Sequence, residues 1–143
     1  MFEKILYPTD FSDVAAKVLP YVEGLHGAGA REVTILHVID SRGLDLLSYD
    51  PAEYRKAKDA LGSLARENMA FVERHIAREG LAVKTLIRTG NPAGQILKVA
   101  LQEGSDIIVI GSHGKSNLAE MIIGSVSERV VRNAVCPVLV VKR

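Results

Sequence analysis

Apolar positions along this chain follow two alternating rhythms. Short runs rich in β-branched or apolar residues lie at Lys4–Tyr7, Val33–Ile39, Ala82–Ile87, from Asp106 onward and at Val138–Val141, and these predict buried strands. Between them apolar residues recur at three- and four-residue spacing, which predicts helices. Val14, Ala15, Val18, Leu19, Val22 and Leu25 mark the first, with Ser12 as its N-cap and Gly27-Ala28-Gly29 closing it. Pro20 sits inside it, removes a bond to the carbonyl of Ala16 and should kink the helix. Ser41 to Asp50 has no period and is expected to be an irregular loop. Asp50-Pro51 opens a long helix to Glu79, with Tyr54, Ala57, Leu61, Leu64, Ala65, Met69, Val72 and Ile76 on one face and Gly80 as its stop. Asn91-Pro92 opens the next, with Ile96, Leu97 and Ala100 inward and Gly104 at its end. Ser125 to Asn133 forms the last, with Val126, Val130 and Val131 against the sheet. Pro137 then breaks the chain before the final strand.

The order is βαβαβαβαβ. Strands alternating with helices predict an α/β fold with one doubly wound parallel sheet and helices on both faces. In such a sheet ligands bind beyond the carboxyl ends of the strands, where strand order reverses. Residues suited to a ligand stand at Pro8-Thr9-Asp10 after strand one, at Val38 in strand two, and from Gly111 onward after strand four. They converge if strands one and four are neighbours.

Composition adds boundaries. At 143 residues the chain predicts a single domain, 1–143. Eighteen basic and seventeen acidic side chains leave a net charge of +1, which recruits neither nucleic acid nor an anionic membrane. No apolar run approaches the ~18 residues of a membrane span. The N-terminus has no signal-peptide layout, and Cys136 is the only cysteine, so the expected location is cytoplasmic. The four histidines are far apart in sequence and show no metal-ligand spacing, so no metal is expected on protein ligands.

The stretch Asp106–Glu128 carries the chemistry. An apolar run ends at Gly111, Gly114 follows, and Gly124 joins directly to Ser125 before a helical pattern. A strand, a glycine-bounded loop and a helix start expose backbone N–H groups to an anion. Gly114-Lys115-Ser116 resembles the tail of a P-loop, but Val109 stands where that motif needs glycine. Gly27-Ala28-Gly29 has Glu32 where a dinucleotide fingerprint needs its third glycine. A phosphorylated receiver would use Asp10 but also needs an aspartate ending strand three, where the chain reads Arg88-Thr89-Gly90.

What remains, Gly111-x2-Gly114-x9-Gly124-Ser125, resembles the ATP-binding signature of the universal stress protein family. The resemblance covers nearly the whole chain: Pro8-Thr9-Asp10-Phe11-Ser12, His37-Val38-Ile39, Gly90-Asn91-Pro92 and Val135-Cys136-Pro137-Val138-Leu139-Val140-Val141 match further blocks. It implies strand order 3-2-1-4-5 and an ATP site built from Pro8, Thr9, Asp10, Val38, Gly111, Ser112, His113, Gly114, Gly124, Ser125, Val126 and Ser127. Asp10 would contact the ribose or adenine side, and Val38 would offer backbone bonds to adenine. Gly111 and Gly114 would lie against ribose and phosphates. Ser125 and Ser127 would hydrogen-bond phosphate oxygens. Mg²⁺ or Mn²⁺ would travel with the phosphates. The resemblance also implies a homodimer, and Val138–Val141 as an unpaired edge strand supplies a reason for one.

Structural alternatives stand beside these roles. Asp10 can cap the first helix, Gly111 can be a turn glycine, Gly124 can end a short helix over Asn117–Ile123, and Ser125 or Ser127 can be an N-cap. Lys115 and His113 read as loop residues, and Cys136 as packing. Three functions fit: an ATP-binding regulator of stress physiology with unknown protein partners, a slow ATP hydrolase or autophosphorylating protein, and a nucleotide-independent scaffold. No convincing catalytic base emerges; Asp10 and His113 are the only candidates, and fast phosphoryl transfer needs one.

Overall fold

A computed structural model describes residues 1–47, 49–112 and 123–142. Five strands form one parallel sheet: β1 (Lys4–Pro8), β2 (Glu32–Asp40), β3 (Ala82–Gly90), β4 (Ile107–Gly111) and β5 (Val138–Val141). The order across it is β3-β2-β1-β4-β5. The chain therefore starts in the middle, winds outward through β2 to β3, then returns to the other side of β1 for β4 and β5. Tyr7 is in register with Ile35 and Leu6 with Ile108, so β1 is flanked by the two strands that diverge from it. That divergence opens a crevice at the carboxyl ends of β1, β2 and β4.

Among the described residues five α-helices accompany the sheet: α1 (Asp13–Gly24), α2 (Ser41–Leu47), α3 (Pro51–Ala77), α4 (Pro92–Glu103) and α5 (Ser125–Asn133). The period-two alternation of the strands separates two apolar layers. Ile5, Tyr7, Val33, Ile35 and Val109 pack with Val18 and Val22 of α1 and Met69 and Ile76 of α3. Leu6, Leu36, Ile108 and Ile110 pack with Ile96 and Val99 of α4 and Val130 of α5. Because the central strands are covered on both faces, their sequences read as unbroken apolar runs.

The helix starts follow the expected capping chemistry. The Ser12 hydroxyl accepts from the Ala15 N–H at 3.3 Å, Asp50 accepts from Ala52 at 2.9 Å, and Asn91 accepts from Gly94 at 2.9 Å. Gly104 ends α4 in the left-handed region, φ 62°. α1 runs without interruption through Pro20. Among the described residues no helix is long and apolar enough to cross a membrane.

The structure departs from the sequence pattern in four places. Ser41–Leu47 is the helix α2, not an irregular loop: Leu44 is buried and the turn packs on α3, so tertiary burial supplies what the short segment lacks in periodicity. β3 runs past Ile87 to Gly90, because β2 is long enough to pair Asp40 with Gly90. On α3 the buried face is Gly62, Ala65, Met69, Val72 and Ile76, whereas Leu61 and Leu64 stay exposed at 41% and 56%. Val131 is likewise exposed, since α5 meets the sheet through Val130 and Ser127.

Tyr7 lies beneath the crevice with its hydroxyl donating to the Ala15 carbonyl at 2.7 Å. Burial pushes its pKa up to about 12, with a smaller upward push from Asp10 and an opposing hydrogen bond from Thr9. The neutral phenol is favoured in the folded state. Its stabilisation is therefore complete below the unfolded pKa near 10 and is lost as pH rises toward about 12. We expect the wild type to lose about 2–3 kcal/mol over that window, and Tyr7→Phe to lose that much less. Urea unfolding at stepped alkaline pH checks this; parallel slopes for the two proteins would refute it.

Candidate functional site

The loop after β1 is held from several directions. The Thr9 N–H donates to the Leu36 carbonyl at 2.9 Å, the Phe11 N–H to the Thr9 hydroxyl at 3.0 Å, and the Ser12 N–H to Asp10 Oδ1 at 2.9 Å. Phe11 takes φ 61°, a left-handed conformation that an aromatic residue adopts at a cost of about 1–3 kcal/mol. Its ring lies 4.7 Å from that of His37, and His37 Nδ1 is 2.9 Å from the Thr9 carbonyl. A carbonyl only accepts, so Nδ1 carries the proton. Asp10 thus caps the turn that leads into α1, while Ser12 is the N-cap itself.

The end of β4 is tied down in the same way. The Ser112 N–H donates to the Val141 carbonyl at 2.8 Å, the Gly124 N–H donates to the Ser112 carbonyl, and the Ser127 hydroxyl donates to the Gly111 carbonyl at 2.6 Å. Gly124 is the N-cap of α5 and makes no side-chain cap bond. The first-turn N–H groups of α5 therefore lack a side-chain cap at the positive end of the helix dipole. Gly124 has φ −75° and ψ 163°, a conformation open to any residue. Its backbone does not require glycine.

Between these two ends lies a cleft of about 930 Å³, of the size that small-molecule sites occupy. Pro8, Thr9, Asp10, Val38, Gly111, Gly124, Ser125, Val126 and Ser127 all line it. The structure thus brings together the residues that the sequence marks on three separate strand ends. Ser112 is fully buried and is not among the lining residues. Ser127 is only 3% exposed and its hydroxyl is engaged by Gly111, whereas Ser125 is exposed at the first helical position. His113 and Gly114 lie outside the described residues.

The other wall was not visible as part of a site in the sequence. α2 and α3 contribute Arg42, Leu44, Leu46, Leu61, Leu64 and Asn68, and Phe11 and His37 line the floor. The available signal was a surplus of leucines: Leu44 and Leu46 in a segment without period, and Leu61 and Leu64 beyond what the sheet can cover. Arg42 forms a two-point pair with Asp40, Nε to Oδ1 at 3.2 Å and Nη2 to Oδ2 at 2.9 Å, and its backbone N–H adds a third bond at 3.0 Å. These bonds hold the Asp40 carboxyl below its ordinary range, so it is ionised at neutral pH.

Removing the Ser127 hydroxyl separates its structural role from any ligand role. Ser127→Ala leaves the part-buried Gly111 carbonyl without this donor, and we expect a loss of about 1 kcal/mol in chemical unfolding. A stability unchanged from wild type would show that the bond contributes nothing to the fold.

A model of the universal stress protein family matches residues 1–142. Universal stress protein MJ0577 of Methanocaldococcus jannaschii is 40% identical, with 100% of this chain and 96% of that protein covered. Its solved structure superposes with a TM-score of 0.93 at 42% identity, over 100% of this chain and 97% of the other. Two more distant structures, each 20% identical, share the fold. One, from Arabidopsis thaliana with AMP bound, covers 98% of this chain and 91% of its own with a TM-score of 0.69. The other, in complex with cAMP, covers 99% and 97% with a TM-score of 0.67.

Proposed function

This chain belongs to the universal stress protein family, and we propose that it is a nucleotide-binding regulator that takes ATP into the cleft at the carboxyl ends of β1, β2 and β4. The observation that carries this reading is the meeting of an apolar cleft with a helix N-terminus whose cap residue is a glycine without a capping bond. The relatives solved with AMP and cAMP support an adenine nucleotide as the ligand class.

In this reading Val38 offers backbone groups to the adenine edge and Asp10 faces the ribose or adenine side, beside Pro8 and Thr9. Gly111 and Gly124 let the ligand approach the main chain, and Ser125 with the start of α5 meets phosphate oxygens, next to Val126. Ser112 and Ser127 act from behind by fixing the end of β4, and the phosphate roles that the resemblance implies for His113 and Gly114 lie outside the described residues. Among the described residues no three His, Cys, Asp or Glu side chains gather as a metal site, so Mg²⁺ or Mn²⁺ would be carried in by the phosphates.

Output through conformation or a partner surface fits better than rapid turnover. Fast phosphoryl transfer needs an oriented base and dense positive charge. Among the described lining residues the one guanidinium, Arg42, is already held by Asp40. We further infer a homodimer through β5 and a cytoplasmic location.

Thermal unfolding with and without ATP and Mg²⁺ tests the binding step. At a hundred times Kd, a ligand of the native state adds about 2.7 kcal/mol, which for a chain of this size raises Tm by roughly 5–10 °C. No shift at millimolar ATP would refute the proposal.

A further inference from the structure

Three leucines that the fold leaves partly or largely uncovered converge on this cleft. Leu46 of α2 is 88% exposed, and Leu61 and Leu64 of α3 are 41% and 56% exposed. No sheet position covers them, and they stand on the wall that faces the ends of β1 and β2. The charged side chains of the described lining are Asp10, Asp40 and Arg42. Asp40 and Arg42 neutralise one another, and Asp10 makes no ion pair among the described residues. The described cleft is thus apolar on one wall and carries one net negative charge.

We propose that affinity resides in the nucleoside half of the ligand, gripped by the α2–α3 leucine wall, and that the protein therefore takes adenosine, AMP and ATP with similar strength in the absence of metal. This rests on the nucleotide reading above and narrows it to a ligand class. The physical balance is direct. A flat purine covering these leucines removes apolar surface from water, and each leucine so covered contributes a several-fold gain in affinity. An exposed helix N-terminus adds less than about tenfold for a phosphate, and the Asp10 carboxylate opposes the extra charge of a triphosphate. Divalent metal removes that opposition by neutralising the phosphates, so metal selects ATP over AMP where the wall does not. Asp10 in turn suits the nucleoside, because a carboxylate accepts from ribose hydroxyls or an exocyclic amine.

The experiment is calorimetric titration of the full chain with adenosine, AMP, ATP and inorganic tripolyphosphate, each in EDTA and in Mg²⁺. In EDTA we expect adenosine, AMP and ATP to bind within about tenfold of one another and tripolyphosphate not to bind. Leu46→Ser and Leu64→Ser, both at exposed positions, should weaken all three nucleosides by a similar factor of about three to ten. Mg²⁺ should tighten ATP and leave adenosine unchanged. ATP bound a hundredfold tighter than adenosine in EDTA, tripolyphosphate binding, or leucine variants with wild-type affinity would each overturn the inference. Adenosine bound with ATP refused in EDTA would overturn the equal strengths, and ATP refused in Mg²⁺ as well would sink ATP as the ligand. ATP bound with adenosine refused would overturn the inference while keeping ATP as the ligand, and refusal of all three would end both.

Discussion

Gly124→Val is expected to weaken the thermal response to ATP while leaving the free protein folded. The N-cap position tolerates valine conformationally, since φ −75° and ψ 163° lie in the extended region. As an N-cap, valine is poorer than glycine by an amount we place at no more than about 1 kcal/mol, or roughly 3 °C in Tm. Gly124 lines the cleft, and valine there adds bulk beside the start of α5. An affinity loss of up to about tenfold, some 1.4 kcal/mol, would follow from keeping phosphate off the α5 N–H groups. Gly124→Ser is the matched control, because serine restores a cap that competes for the same N–H groups. It should raise the stability of the free protein and also weaken ATP. If the valine variant keeps its full ATP response with an unchanged Tm, Gly124 is a capping residue and nothing more.

On the proposed pairing of β5 with its two-fold copy, Val140→Pro is expected to leave a folded monomer. The Pro137 carbonyl accepts from Ile108 and the Val141 carbonyl accepts from Ser112. Both carbonyls point into the sheet, and backbone groups of successive residues along a strand point to opposite sides. Val138 and Val140 therefore turn their N–H and C=O groups toward the open edge of β5. Two copies related by a two-fold axis would satisfy those groups by pairing β5 with β5. Proline at 140 deletes an outward donor, spares the ladder to β4 and is tolerated on an edge strand. We expect dimer dissociation to become at least about a hundredfold easier, read by sedimentation equilibrium, with circular dichroism unchanged. A wild-type chain that is monomeric at high concentration, or a variant that remains dimeric, would remove β5 as the interface.

Much of the architecture was present in local patterns. Ser12, Asp50 and Asn91 announce helix starts because a short polar side chain can reach the free N–H groups of the first turn. The buried runs of β1, β2 and β4 announce a sheet covered on both faces. The spacing Gly111, Gly114, Gly124-Ser125 pointed to one end of the sheet, and the residues singled out on β1, β2 and α5 line a cleft there.

Other features had no local signature. α2 is a helix because Leu44 finds a buried seat against its neighbours, and a segment of seven residues shows too little of a period to reveal that. Leu61 and Leu64 read as core because spacing along a helix defines a face but not how far the sheet extends beneath it. Ser127 read as a phosphate ligand, yet its hydroxyl is turned to the Gly111 carbonyl, sixteen residues away in the chain. Phe11 carries no mark of its left-handed backbone, which is held by contacts with His37 across the crevice.

The sequence by itself determined the alternation of strands and helices, the caps, the buried layers and the glycine spacing, because each depends on neighbours within a few residues. Tertiary structure decided which wall faces the glycines, which apolar residues the sheet leaves uncovered, and which hydroxyls are taken. Those outcomes depend on groups brought together from strands and helices far apart in the chain, and no local pattern encodes the distance between them.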